Sequence, residues 1–232
     1  MNYASRNCDI YASLFTHRSP LPQPLRTLEN FTHMGKLKVD IKRQVCLTFD
    51  DGPDPDYTPE ILAVLADYGV KATFFVVGEA AERFPQLVEK IVAAGHTIGN
   101  HTYSHRHPWL ISSARAKSEV ARTTDIVENI TGSAPRWFRP PFGRLRTAMR
   151  RQAHAEHMAT VLWSHSIIDW GALGTKTGIA RRLEQVKAGD IVLMHDGRPE
   201  QNRPGVTLQC LPGFLRSLAG KSLVACNLDE VV

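Results

Sequence analysis

A chain of 232 residues, 43% hydrophobic and 22% charged, can bury a sizeable core and falls in the length range of a single α/β barrel. Its net charge is +5, yet the basic residues are dispersed, and the clusters Arg144, Arg146, Arg150, Arg151 and Arg181, Arg182 read as solvated helix faces, so no nucleic-acid partner is expected. The four cysteines, Cys8, Cys46, Cys210 and Cys226, have no CxxC spacing, which argues against a zinc knuckle or a disulfide framework.

Residues 1–43 differ from the rest. Ser19-Pro20-Leu21-Pro22-Gln23-Pro24 is a proline-spaced polar stretch and Lys36 to Arg43 is basic, so a loosely packed or disordered extension is expected, with Met34 as an alternative start. Met1 to Phe15 lacks the continuous apolar run of a signal peptide, and no run in the chain is long enough to span a membrane. Cytoplasmic residence is the default expectation.

Val45-Cys46-Leu47-Thr48-Phe49 is an apolar, partly β-branched run that ends in Asp50-Asp51-Gly52-Pro53, and it reads as a buried strand stopping at two carboxylates. Adjacent residues of an extended chain point to opposite sides, so a bend is required to bring both acids to one site, and Gly52-Pro53 can supply it. The pair equally fits ordinary strand-end turn formers, and this stretch alone leaves both readings open.

Thr58-Pro59-Glu60 then reads as a hydroxyl N-cap, a proline at the first helical position and an acid in the first turn, opening a helix that Gly69 ends. The apolar run Ala72 to Val77 gives a second strand. A helix from Phe84-Pro85 to Gly95 leads to a third strand at Thr97-Ile98-Gly99. Beyond a loop holding His101 and His105 come a helix from about 112 to 130, a strand at Trp137-Phe138, a helix over about 145–154 and a strand at Thr160 to Ser164. A helix over 177–186, the strand Asp190 to Met194, a helix over 208–218 and a strand at Ser222-Leu223-Val224 complete the alternation. Strands that are continuously apolar are buried on both faces, so the sheet should be parallel with helices outside it. Asp50 and Asp51, His101, Arg139, Asp169 and His195 each follow a different strand at its C-terminal end. In a barrel those ends ring one mouth, which favours a distorted, TIM-like (β/α) barrel of about seven parallel strands.

His101-Thr102-Tyr103-Ser104-His105 sets two imidazoles four residues apart, the spacing that puts both on one face of a helical turn. Two nitrogens and one aspartate oxygen with an open position match a catalytic rather than a structural metal site. Such a metal lowers the pKa of bound water from about 15.7 to about 7. Asp50 fits the base that takes the water's proton, and His195, across the pocket, fits the acid that protonates the leaving group, although His195 taken alone reads more readily as a strand-end core histidine.

Thr48-Phe49-Asp50-Asp51-Gly52-Pro53, His101-Thr102-Tyr103-Ser104-His105, Arg139-Pro140-Pro141-Phe142-Gly143, Asp169-Trp170 and Leu193-Met194-His195 follow one another in that order. Together they resemble the five motifs of the polysaccharide deacetylases, the carbohydrate esterase family 4 that includes nodulation-type chitooligosaccharide deacetylases and peptidoglycan N-acetylglucosamine deacetylases. The resemblance runs from about Val45 to Val224, within an expected deacetylase domain over 44–232. It implies hydrolytic removal of acetyl from N-acetylglucosamine units of an oligo- or polysaccharide. It implies a divalent metal, usually zinc, held by Asp51, His101 and His105, with Asp50 as base and His195 as acid. Arg139 would tune Asp50, and Asp169 would tune His195. The Phe142 backbone amide would stabilise the oxyanion, and Trp170 and Leu193 would line the acetyl pocket. Alternatives are removal of formyl or O-acetyl from another envelope or lipid-linked sugar, or a non-catalytic carbohydrate-binding relative.

Three departures from the family pattern stand out. Ser166 takes the place of the first acid of the usual Asp-x-x-Asp-Trp segment, Arg106-His107 intervene before Pro108, and Phe142 replaces a frequent tyrosine. The first leaves the mechanism intact, since only Asp169 is used; the second falls in a loop that borders the metal and bears on substrate entry; the third keeps the ring and the backbone donor but drops a hydroxyl.

Overall fold

The structure is a computed structural model that describes residues 43–231. The expected N-terminal extension, with Cys8 and Met34, lies outside the described residues, except for Arg43. Eight strands form one sheet in which every neighbouring pair is parallel. They are β1 (Gln44–Asp50), β2 (Thr73–Val76), β3 (Thr97–Asn100), β4 (Trp137–Phe138), β5 (Ala159–Thr160), β6 (His165–Ser166), β7 (Ile191–His195) and β8 (Val224–Cys226). The spatial order β5-β4-β3-β2-β1-β7-β6 is the cyclic order of a seven-stranded barrel cut open between β5 and β6. β8 pairs with the first half of β1, on the edge opposite β7.

The helices are α1 (Thr58–Asp67), α2 (Gly78–Arg83), α3 (Pro85–Ala93), α4 (Ser113–Thr131), α5 (Thr147–Ala155), α6 (Lys176–Glu184) and α7 (Pro204–Gly220). The seam has a local cause. The expected strand over 160–164 splits into the two-residue β5 and β6, because Val161 O and Leu162 O turn to accept from the Arg139 guanidinium instead of pairing in the sheet. The short α2 was not legible in the sequence.

Alternation along the strands sorts side chains into two layers. Val45, Leu47 and Phe49 of β1, Phe74 and Val76 of β2, and Val192 and Met194 of β7 pack outward against Ile61, Leu65, Val88, Ile91, Leu211 and Phe214 of the helices. Cys46, Phe75, Trp137, Val161, Ile191 and Cys226 fill the barrel interior. Interior parity then carries upward from Cys46 through Thr48 to Asp50, from Trp137 to Arg139 and from Ile191 to His195. The packed interior therefore becomes a polar mouth at the C-terminal ends of the strands.

Two local expectations are corrected. Tyr57, not Thr58, precedes the first turn of α1, and the Thr58 hydroxyl donates to Asp196 at 2.6 Å while accepting from the Asp54 amide at 2.8 Å. The hydroxyl therefore accepts from the preceding turn, at Asp54, rather than from an amide of the helix it opens. Arg146 and Arg182 are also more than solvated charges: Arg146 donates to Pro108 O and Ile111 O, and Arg182 to Ile167 O and Leu173 O, bracing loops at the mouth. The other clustered arginines, Arg144, Arg150, Arg151 and Arg181, are exposed as expected. Among the described residues, no helix is long and apolar enough to cross a membrane.

Candidate active site

The bend expected at Gly52-Pro53 occurs one residue earlier, at Asp51 itself. Its φ of 76° turns the chain left-handed, so both Asp50 and Asp51 reach the mouth. Thr102, His105, Phe142 and Ile168 also have positive φ, and all four flank the same mouth. Left-handed non-glycine residues cost on the order of 1–3 kcal/mol each and concentrate where function requires the geometry.

Asp51, His101 and His105 come together as predicted, all buried, with one ligand atom from each lying within 4.8 Å of the others. His105 Nε2 stands 3.0 Å and His101 Nε2 3.5 Å from Asp51 Oδ1. The His101–His105 segment is not the helical turn that the spacing suggested. It is a loop held in shape by its left-handed residues and by Asn100, whose Oδ1 accepts from the Thr102 amide at 2.9 Å. The Asn100 Nδ2 donates to Val120 O and Thr124 Oγ1 of α4.

The donor set fits a divalent cation. Among the described residues Asp51 Oδ1 is buried without a hydrogen-bond donor, which is costly unless something positive takes it. Burial drives both imidazoles toward the neutral form, lowering His101 to about 4 against the pull of Asp50, and His105 to about 3 with Arg198 adding to the effect. Neutral imidazole is the ligand form. His101 Nδ1 lies 2.7 Å from Arg139 O, which as acceptor places the proton on Nδ1 and leaves Nε2 facing Asp51. Asn202 holds the other Asp51 oxygen, donating to Oδ2 at 2.8 Å.

Asp50 and Arg139 form a buried pair at 2.7 Å. The guanidinium is fully buried; it also donates to Thr48 Oγ1 at 2.8 Å and lies 4.1 Å over the Phe75 ring. Asp50 Oδ2 is left facing the metal group, 3.6 Å from His101 Nε2. His195 and Asp169 form a second couple, with Asp169 Oδ1 2.7 Å from His195 Nδ1. Asp169 Oδ2 accepts from the His195 amide at 2.9 Å and from Thr207 Oγ1 at 2.7 Å. Burial opposes the His195 imidazolium, but the Asp169 charge and hydrogen bond outweigh it, helped by Asp51 and Asp50, pushing His195 up to about 9. Asp50 and His195 are register partners on β1 and β7 rather than facing each other across the barrel. Their partners separate them: Asp50 is drawn toward Arg139 and His101, and His195 toward Asp169.

The three residues expected to meet substrate take different places. Phe142, half exposed, sets its ring edge-on to His105 at 4.7 Å and 5.3 Å from His107. Trp170 stands edge-on to His195 at 5.4 Å and is 36% exposed. Leu193 is buried and shares the His195 side of β7, one pleat below it. A cleft of about 610 Å³ opens from Asp51 past Val77, Tyr103, Ser104 and Arg198. Sequence reasoning missed Asn100, Asn202, Thr207 and Asp196. Asn100 lies directly before a predicted ligand and Asp196 directly after the predicted acid His195, but Asn202 and Thr207 carry no local signal.

Two buried couples, Asp50 with Arg139 and His195 with Asp169, beside a His-His-Asp group at the C-terminal mouth of a β/α barrel, define a metal-assisted hydrolase type of site. The family profile described as polysaccharide deacetylase matches residues 38–161, and the chain belongs to that family. A peptidoglycan-N-acetylglucosamine deacetylase of Bacillus cereus is 38% identical over 66% of this chain, which spans only 56% of that relative's length. A chitooligosaccharide deacetylase of a Bradyrhizobium species is 34% identical over 78% of this chain and 81% of its own length. Among solved structures, a family 4 carbohydrate esterase from Streptomyces lividans, determined with acetate, superposes with a TM-score of 0.72 at 32% identity, covering 80% of this chain and 92% of that one.

Proposed function

We propose that this protein removes acetyl groups from N-acetylglucosamine units of an oligo- or polysaccharide, with zinc held by Asp51, His101 and His105. The observation that carries the reading is the pair of buried couples beside one donor set: a carboxylate paired with the Arg139 guanidinium at 2.7 Å, and an imidazole kept protonated by Asp169. The relatives named as deacetylases of N-acetylglucosamine polymers support the substrate class. Zinc, when bound, supplies Lewis acidity, polarising the acetyl carbonyl and easing deprotonation of water.

The protein's own groups then divide the proton work. Asp50 Oδ2 takes a proton from the water whose oxygen attacks the acetyl carbon, while Arg139 holds Oδ1 and so aims the free oxygen at the site. His195 gives its Nε2 proton to the amide nitrogen as the carbon–nitrogen bond breaks, which releases acetate and a free sugar amine. Asp169 fixes the His195 proton on Nδ1 and stabilises the imidazolium before transfer. The left-handed Phe142 turn, against His105, presents its backbone amide to the developing oxyanion. Trp170 and Leu193 shape the pocket for the acetyl methyl group beside and beneath His195.

The test is acetate release from N-acetylglucosamine oligomers of graded length, using metal-stripped protein with and without added zinc, and an Asp50→Asn control. Zinc-dependent release that the control abolishes supports the reading. Zinc binding with no release from any oligomer overturns it, in favour of another acyl group or a non-catalytic role.

A further inference from the structure

We propose that Glu119 of α4 is a positioning residue for the metal group, clamping Ser104 so that the His101–His105 loop presents His105 to Asp51; this rests on the reading of Asp51, His101 and His105 as metal ligands. Glu119 is an acid only 1% exposed, and both of its oxygens are committed. Oε2 accepts from the Ser104 amide at 2.7 Å, and Oε1 accepts from the Ser104 hydroxyl at 2.8 Å and from Arg115 Nε at 2.7 Å. A carboxylate is seldom buried to this degree without a specific set of donors, and here two of the three belong to a single residue of the ligand loop.

The need for a clamp follows from how differently the two histidines are held. His101 is fixed through its own ring, because Nδ1 bonds Arg139 O at 2.7 Å. Among the described residues His105 Nδ1 is buried with no hydrogen-bond partner, so its ring is located by tilted and edge-on contacts with His101 and Phe142 and by the backbone that carries it. That backbone is left-handed, with φ of 51°, in a loop without helical hydrogen bonds of its own. Gly78 N and Glu79 N tie Thr102 O and Tyr103 O from one side, at 2.9 Å each. Among the described residues the next one, Ser104, is tied only to Glu119, and it immediately precedes His105. Releasing it frees His105 to relax toward an ordinary basin and carries the imidazole away from Asp51.

The experiment compares wild type, E119A, E119Q, S104A and V127A by competition for zinc against a chromophoric chelator, by the absorption spectrum of the cobalt-loaded protein, and by melting temperature. Val127 is a buried residue of the same helix that does not touch the loop, so V127A is the stability control. E119A is expected to lose affinity on the order of 10- to 100-fold with an altered cobalt spectrum, the usual scale for partners that orient a ligand. E119Q keeps an acceptor for the Ser104 amide and recovers most of that loss, while V127A lowers melting temperature without weakening zinc. If E119A does not fold, S104A carries the test, binding zinc more weakly than V127A. Wild-type affinity and spectrum in E119A or, where it does not fold, in S104A, or a loss in V127A that matches theirs, overturns the proposal. A wild type that takes up no metal instead overturns the ligand reading beneath it.

Discussion

Asp169→Asn isolates the acid half of the reaction. His195 is raised from 6.5 to about 9 in the folded protein, which at about 1.4 kcal/mol per pKa unit is roughly 3 kcal/mol favouring the imidazolium. An asparagine carries no charge, and its oxygen remains the natural acceptor for the His195 amide and Thr207. Its NH₂ group then faces His195 Nδ1, forcing that nitrogen to accept and leaving a neutral ring with its proton on Nε2. In the metal-free protein at pH 7.5 the protonated fraction drops from roughly 97% to below roughly 10%, and the wrong tautomer adds to the defect. The expected fall in kcat/KM is on the order of 10² to 10⁴, the usual contribution of a general acid. The assay is a pH profile of acetate release, paired with NMR titration of His195 in chelated protein. Wild type titrates near 9 when metal-free, and its alkaline limb lies lower once a cation neutralises Asp51; the variant titrates below 6.5. By the same linkage, His195 stabilises the wild-type fold fully below pH 6.5, and that contribution is lost as pH rises through about 9. A variant with unchanged rate and an unchanged alkaline limb refutes the assignment.

Arg139→Met keeps most of the volume but leaves the Asp50 carboxylate buried and unpaired, so unfolding in urea should show a loss of roughly 3–5 kcal/mol, and a loss under about 1 kcal/mol would contradict the pairing. Gly52→Ala would set its Cβ 2.2–2.5 Å from the Asp196 carboxylate, which Thr58 holds in place. Displacement of the Asp51 turn is expected, seen as weaker zinc binding together with a stability loss of at least about 1–3 kcal/mol, whereas intact zinc binding would show that the turn tolerates the methyl group.

The strand–helix alternation was legible because buried parallel strands read as apolar runs bounded by turn residues, and six of the site's side chains were legible because they end such runs. Strand parity, in hindsight, also points Asp50, Arg139 and His195 inward along with Cys46, Trp137 and Ile191. What escaped the sequence depends on contacts between distant segments. Asn202 reaches Asp51 across 151 positions and Thr207 reaches Asp169 across 38, and neither residue type advertises a partner. The spacing of His101 and His105 suggested a helix because four residues make about one turn. The same spacing is met by a left-handed loop whose shape is imposed from Asn100, α2 and α4. The seam between β5 and β6 was hidden for a related reason, since Arg139 takes carbonyls that a propensity argument assigns to the sheet.

The central claim is that a cation on Asp51, His101 and His105 is required for deacetylation. The most direct measurement is acetate release from an N-acetylglucosamine oligomer while zinc is titrated into chelator-stripped protein, with bound metal quantified in the same samples. Activity is predicted to rise from background in proportion to bound metal and to level off at a single equivalent per chain. Stripped protein that releases acetate at the full rate, or metal uptake that an Asp51→Asn variant leaves unchanged, would contradict the account.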